Sequence, residues 1–295
     1  MVAELVLDAR NGTGESPVWH VGEQALYWVD IPGRAIHRWS PAEGHRHWAT
    51  DEMPACLAAT ATPGRWLAGM ESGIFALQLQ PDGRASATLA APVQHAAPAM
   101  RFNDGRCDRQ GRLWAGTMCL DMVAGIRAGA WYRFGPGDGA LPARITDFIV
   151  PNGLAFSPDG RTMYVSDSHP RVQAVWAFDY DTDTGTPRNR RLFVDMNPLP
   201  GRPDGAAVDA DGCYWICGND AGLVHRFTPG GRLDRSLPVP VKKPAMCAFG
   251  GAGLDTLFVT SIRPGGVDLS DQPLAGGVFA LCPGVQGLPE PAFAG

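Results

Sequence analysis

No apolar run in this 295-residue chain approaches the roughly 20 residues a membrane-spanning helix needs, so no membrane partner is expected. There is no block of Lys or Arg, and the formal net charge is −5. A nucleic-acid footprint and a basic, membrane-lying helix are both excluded on that ground. The N-terminus, MVAELVLDARNGTGESPVW, lacks a basic stretch followed by an apolar one, so a secretory leader is not expected and a cytoplasmic location is. No CxxC pair occurs, and the seven cysteines are an odd number. They read as free, mostly buried thiols, and Cys213 and Cys217 as one face of a strand. Long 3.6-residue periodicity is missing too, which removes helical bundles.

Short apolar runs bounded by Gly, Pro, Asp and Asn take its place. The 37 glycines and 26 prolines are spread along the chain rather than pooled in a linker, as many tight turns require. Three stretches repeat one order of events: RFNDGRCDRQGRLWAGTM from Arg101, PNGLAFSPDGRTMYVSDS from Pro151 and RPDGAAVDADGCYWICGN from Arg202. Each reads as polar residue, Gly, apolar strand, Asp- and Gly-rich turn, second apolar strand, which is a β-hairpin. Looser copies begin at Gly14, Ala55 and Ala245, and a further strand follows most of them. A strand-only unit of about 40–50 residues, present six times, predicts one all-β domain over 1–295. It is a six-bladed β-propeller, each blade a three- or four-stranded antiparallel sheet. Neither a WD nor a kelch signature is present.

In a propeller the first strand of each blade lines the axial channel. The repeat then places Glu15, Ala55, Asp104 with Asn103 beside it, Asn152, Asp204 and Ala245 at the channel mouth. A ring of carboxylates repels itself unless something positive lies between its members, so this set predicts a cation site. Taken singly, Asn-Gly and Asp-Gly are ordinary hairpin dipeptides; the shared phase is what points to function. Glu15, Asn152 and Asp204 offer all-oxygen ligation, which suits Ca²⁺ first and Mg²⁺ or Mn²⁺ next, with Zn²⁺ as a further option. Three protein ligands leave positions open, the arrangement of a catalytic metal.

The stretches GESPVW, RFNDG, GRLWAGTM, PNGLAFSPDG, YVSDS, DYDTDTG, RPDGAAVDADG and AFGG…LFVTS resemble the regucalcin/gluconolactonase family of six-bladed propellers, from about Gly14 to Ser261. The resemblance implies a divalent-metal-dependent lactonase that opens sugar lactones to aldonic acids. It implies Glu15, Asn152 and Asp204 as metal ligands, Asp204 also as acid/base, and Arg101 and Asn103 as a substrate-binding pair. Asp121 falls where one branch of the family carries a substrate-holding Glu, and Ser16 stands where a Gly is more usual. On this reading the metal polarises the lactone carbonyl, water attacks, and Asp204 or the metal supplies the base. The partner is a small sugar lactone, and the expected state is a monomer, since a closed ring needs no second copy. Two rivals use the same scaffold: an ester or organophosphate hydrolase, and a calcium-binding propeller without catalysis.

Other features have plainer expectations. DYDTDTG (179–185) has its Gly one position late for an EF-hand loop and reads as an exposed acidic turn. His45 and His47 read as solvent-facing histidines. In SDSH (166–169), Asp167 or Ser168 either supports the metal site from behind or caps a turn. Trp28, Trp114, Trp131, Trp176 and Trp215 fall at comparable strand positions and predict packing between blades.

Overall fold

A computed structural model describes residues 3–139 and 141–295; the first two residues of the N-terminal stretch lie outside the described residues. Six four-stranded antiparallel sheets follow one another, as the hairpin repeats require. Their innermost strands are Gly14–His20, Cys56–Ala59, Met100–Cys107, Pro151–Phe156, Arg202–Val208 and Pro244–Gly250. Five blades are built from consecutive strands. The sixth is completed by the chain's other end: Glu4–Leu7 pairs with Val278–Leu281, Glu4 opposite Ala280 and Leu5 opposite Phe279. No described helix is long and apolar enough to cross a membrane.

Exposure rises from the axis outward, which is why the strands differ in composition. Pro151–Phe156 is buried at every residue, whereas the fourth strand of that blade, Thr186–Asp195, is mostly exposed and carries three arginines. The Asp-rich turns lock hairpins to their neighbours. Asp209 is fully buried and accepts from the Cys213 amide at 2.9 Å, Trp215 Nε1 at 2.8 Å and Arg226 Nε at 2.8 Å. Asp108 accepts from the Gln110 and Arg112 amides and from the Tyr180 hydroxyl, which in turn receives Trp114 Nε1 from the adjacent blade.

Trp28, Trp114, Trp131 and Trp215 are all fully buried. Trp215 meets Phe249 of the next blade edge-on, and Trp28 joins a cluster with Phe258 and Val278 of the last one. Trp176 is partly exposed, sandwiched between Phe148 and the Arg190 guanidinium. Six of the cysteines are buried, Cys282 is exposed, and all are free thiols. The 179–185 stretch is an exposed turn in which Asp181 Oδ1 accepts from the Asp183 and Thr184 amides. His45 and His47 are exposed; the His45 ring stacks on the buried His37 and Trp28, and the His47 ring on His45.

One irregularity positions the site. Five innermost strands carry the same β-bulge, two residues facing one on the neighbouring strand: Ser16–Pro17, Asn103–Asp104, Gly153–Leu154, Asp204–Gly205 and Ala245–Met246. The bulge turns successive side chains toward the channel mouth. In this register Glu15 is equivalent to Asn152, both just before the bulge, and Asn103 is equivalent to Asp204, both its first residue. The sequence phase had instead aligned Asp104 with Asn152 and Asp204. The extra residue carries Asp104 one step deeper, where it is 1% exposed and accepts from the Leu154 amide at 2.9 Å.

Candidate active site at the channel mouth

A cavity of about 250 Å³ opens at one end of the channel. Glu15, Asn103, Asn152, Asp204 and Asn219 form its buried floor, and Arg101, Arg202 and Lys243 are its partly exposed cations. Met118, Val150 and Ile262 add apolar wall. The volume lies just below the range usual for ligand pockets, roughly 300–1,000 Å³, and suits a compact solute.

Glu15 of the first blade and Asp204 of the fifth meet here, with the sixth blade between them. The Glu15 carboxyl is held well above the usual carboxylate range, first by burial and then by the charges of Asp204 and Asp104. Burial pushes Asp204 up to about 7, opposed by the Asn219 amide and the Arg202 charge. Asn219 Nδ2 donates to Asp204 Oδ2 at 2.6 Å, and the Ser16 amide donates to Glu15 Oε2 at 3.3 Å. No described donor reaches the other oxygen of either carboxylate.

A directed hydrogen-bond chain fixes the amides. The Ser168 hydroxyl gives its one proton to the Pro203 carbonyl, so its oxygen must accept from Asn152 Nδ2, at 2.6 Å. That turns Asn152 Oδ1 toward the cavity, where Asn103 Nδ2 donates to it at 3.1 Å. Asn103 Nδ2 also donates to the Pro151 carbonyl at 3.0 Å, and Asn103 Oδ1 accepts from Arg101 Nη1 at 2.9 Å. Both amide hydrogens of Asn103 are thereby engaged. It braces Arg101 against Asn152, while Nε and Nη2 of Arg101 keep no protein partner among the described residues. Burial lowers the Arg101 guanidinium to about 10 against the raising influence of Glu15, Glu71 and Asp204, and the group stays charged at neutral pH.

The two readings of SDSH divide cleanly. Asp167 is the turn cap, accepting from the Ile149, Val150 and His169 amides, and Ser168 is the residue that orients Asn152. Asp121 is exposed and absent from the cavity wall; its Oδ1 accepts from the Val123 and Ala124 amides while the adjacent Met122 lines the cavity. Among the wall residues that the sequence reading did not single out are Asn219, Arg202 and Lys243. The last two share a phase with Arg101 that becomes visible only once the bulge is placed. Arg101, Arg202 and Lys243 each lie four positions before the residue after the bulge, so three blades carry a cation at one phase.

The donor set fits a hard divalent cation. Two carboxylates with unengaged oxygens face an amide oxygen held outward by its own hydrogen bonds. In addition, Asn219 Oδ1 and Asp104 Oδ1 are buried with no donor. Buried acceptors without partners and like charges at close quarters are both relieved by a cation.

Residues 13–263 match the family model described as SMP-30/Gluconolactonase/LRE-like region. The chain is 39% identical over 290 residues to a 6-deoxy-6-sulfogluconolactonase of Pseudomonas putida, covering 96% of this chain and 95% of that one. It is 35% identical over 300 residues to regucalcin of Gallus gallus, covering 99% and 98%. Among solved structures, a calcium-binding protein, regucalcin, from Agrobacterium tumefaciens superposes with a TM-score of 0.90 at 29% identity, covering 99% of this chain and 97% of that one. Sequence, bulged channel mouth and blade order agree, and this chain belongs to the SMP-30/gluconolactonase/regucalcin-like family of six-bladed propellers.

Proposed function

We propose that this lactonase hydrolyses a sugar lactone to its aldonic acid with the help of one divalent cation held by Glu15, Asn152 and Asp204. The observation that carries the proposal is the pairing of two buried carboxylates, each with one unengaged oxygen, with the free donors of Arg101 in one small cavity. A cation bound there, Ca²⁺ in the first instance, supplies Lewis-acid polarisation of the lactone carbonyl.

The chain's own groups do the rest. Asp204 Oδ1 takes a proton from a water, whose oxygen adds to the carbonyl carbon. As the ring C–O bond breaks, Asp204 returns that proton to the departing ring oxygen, giving a hydroxy acid with no covalent enzyme intermediate. Arg101 Nε and Nη2 donate to the carbonyl or to sugar hydroxyls, and Asn103 keeps the guanidinium aimed. Asn219 holds Asp204 in the rotamer that leaves Oδ1 turned to the cavity. Asp121 is read as a hydroxyl-binding group only if the loop that carries it moves, because its carboxylate now caps its own turn.

The test is acid release from γ- and δ-aldonolactones by protein stripped of metal and then resupplied with Ca²⁺, Mg²⁺, Mn²⁺ or Zn²⁺, less the uncatalysed rate. Turnover that disappears on stripping, returns with one ion and is lost in Asp204→Asn supports the proposal. Turnover confined to aryl or phosphate esters makes the chain an esterase of the same scaffold. Cation binding with no turnover of either class makes it a non-enzymatic binder, and both results overturn the lactonase mechanism.

A further inference from the structure

Above the carboxylate floor, the cavity rim carries two cations that share the carboxylate of Asp220, and one of them, Arg202, also lies in the field of Asp204. Arg202 opens one innermost strand, Lys243 immediately precedes the next, and Asp220 lies between them. Arg202 Nε donates to Asp220 Oδ2 at 2.6 Å and Arg202 Nη1 to the Ser168 carbonyl at 3.4 Å. Lys243 Nζ donates to Asp220 Oδ1. Asp220 makes this bridge from a left-handed backbone, φ +78°, so its carboxylate is held in place by a conformation that non-glycine residues seldom adopt.

Two cations share one carboxylate. Arg202 Nη2 and two of the three ammonium hydrogens of Lys243 have no described protein partner, although both side chains are only about a quarter exposed, 28% and 25%. Both line the same cavity as Glu15 and Asp204. A structural staple between the two blades needs one cation per carboxylate, and partly exposed pairs of this kind contribute little stability. A neutral polyol brings no negative charge to these free donors. A tetrahedral or planar oxyanion does: it presents several acceptor oxygens to a guanidinium edge and an ammonium at once. On the lactonase reading the floor is taken up by the cation on Glu15 and Asp204 and by the lactone carbonyl, which leaves the rim for the anion.

We propose that Arg202 and Lys243 form an anion-binding subsite, and that the preferred substrate is a sugar lactone bearing a sulfonate, phosphate or carboxylate at the end remote from its carbonyl. The proposal rests on the lactonase reading for its orientation, carbonyl at the floor and anion at the rim. Asp220 acts as the counter-ion that holds the two cations together until the substrate's anion arrives beside them.

The experiment compares four hexonolactones, unsubstituted or carrying a terminal sulfonate, phosphate or carboxylate, in kcat/KM. The same four opened hexonates are then measured for binding by calorimetry. In the wild-type protein at least one anionic lactone is expected to exceed the neutral one by about tenfold or more, the scale of one charged hydrogen bond. The best of the three identifies the anion. Arg202→Gln and Lys243→Gln, checked for unchanged thermal unfolding, should each reduce the anionic-to-neutral ratio by about 10-fold. Asp220→Asn should raise it, because the internal counter-ion is gone; a staple would lose stability and leave the ratio where it was. A neutral lactone used as well as every anionic one, or a preference that survives loss of both cations, overturns the proposal. If no lactone turns over but the anionic hexonates still bind through Arg202 and Lys243, the lactonase reading fails and the subsite stands.

Discussion

At the scale of single residues, the site is set by hydrogen bonds whose direction leaves no choice. Ser168 has one proton and gives it to Pro203, so Asn152 must present its oxygen to the cavity. Ser168→Ala removes that constraint while deleting one small buried hydroxyl. It is expected to weaken cation binding by about 10–100-fold, as loss of a group behind a metal ligand typically does. Calorimetry with Ca²⁺ checks this; unchanged affinity would mean that Asn152 is oriented by Asn103 alone. A second residue-scale consequence concerns acid stability. Burial, with His45 and His47 adding to it, lowers His37 to about 3 from an ordinary value near 6.5. A folded-state value below the unfolded one means the unfolded chain binds more protons below about pH 6.5. Stability is therefore fully present above that pH and falls as pH drops from 6.5 toward 3. By pH 5 this one group should have removed about 2 kcal/mol. Urea midpoints at pH 7.5 and pH 5 should move apart less in His37→Gln than in the wild type, and an equal separation would assign the acid sensitivity elsewhere.

At the scale of elements, the propeller was legible because its signals are local. Hairpin turns, alternation and the order of strands recur in the chain itself, so six hairpin units could be counted without a structure. Part of the ring of oxygens at the mouth was legible as well: Glu15 and Asn152 share a phase, Asp204 stands one position later, and all three line one cavity. What stayed hidden was the bulge. It adds a residue to one strand of a pair without disturbing the hydrophobic pattern, so Asp104 looked equivalent to Asp204 when Asn103 is. The same shift concealed the common phase of Arg101, Arg202 and Lys243. The glycines of these stretches also carry a different meaning from the hairpin one. Gly205 sits in the innermost strand, where an added Cβ would lie 2.3 Å from the Met246 Cβ. Gly205→Ala must push the two neighbouring blades apart beside Asp204. It should lower stability by about 1–3 kcal/mol and weaken cation binding in the same protein. Thermal unfolding together with Ca²⁺ calorimetry decides it; a stable variant with native affinity would show that the channel wall yields elsewhere.

At the scale of the whole molecule, a ring of blades must be closed, and here the two ends of the chain close it. Strand Glu4–Leu7 supplies the outer edge of a blade whose other three strands come from residues 244–281. Sequence pattern gave no hint of this, because pairing between residues almost the full chain apart leaves no local mark. The pairing is short, but without it the blade ends at Val278–Leu281, whose Val278 and Phe279 are fully buried in the intact ring. Removing residues 1–8 should therefore do more than subtract one strand's burial. It exposes a hydrophobic strand edge, which invites pairing between molecules, and it loosens the joint between the last blade and the first, where Trp28 packs against Phe258 and Val278. The expected outcome is a clearly lower unfolding temperature with concentration-dependent association. Cation affinity should fall too, since Glu15 comes from the first blade and Asp204 from the fifth, and their approach relies on the ring being closed. Thermal scans and light scattering at several protein concentrations, with Ca²⁺ binding measured alongside, test this. A truncated chain that stays monomeric, melts like the intact protein and binds Ca²⁺ equally well would show that side-chain packing alone closes the ring.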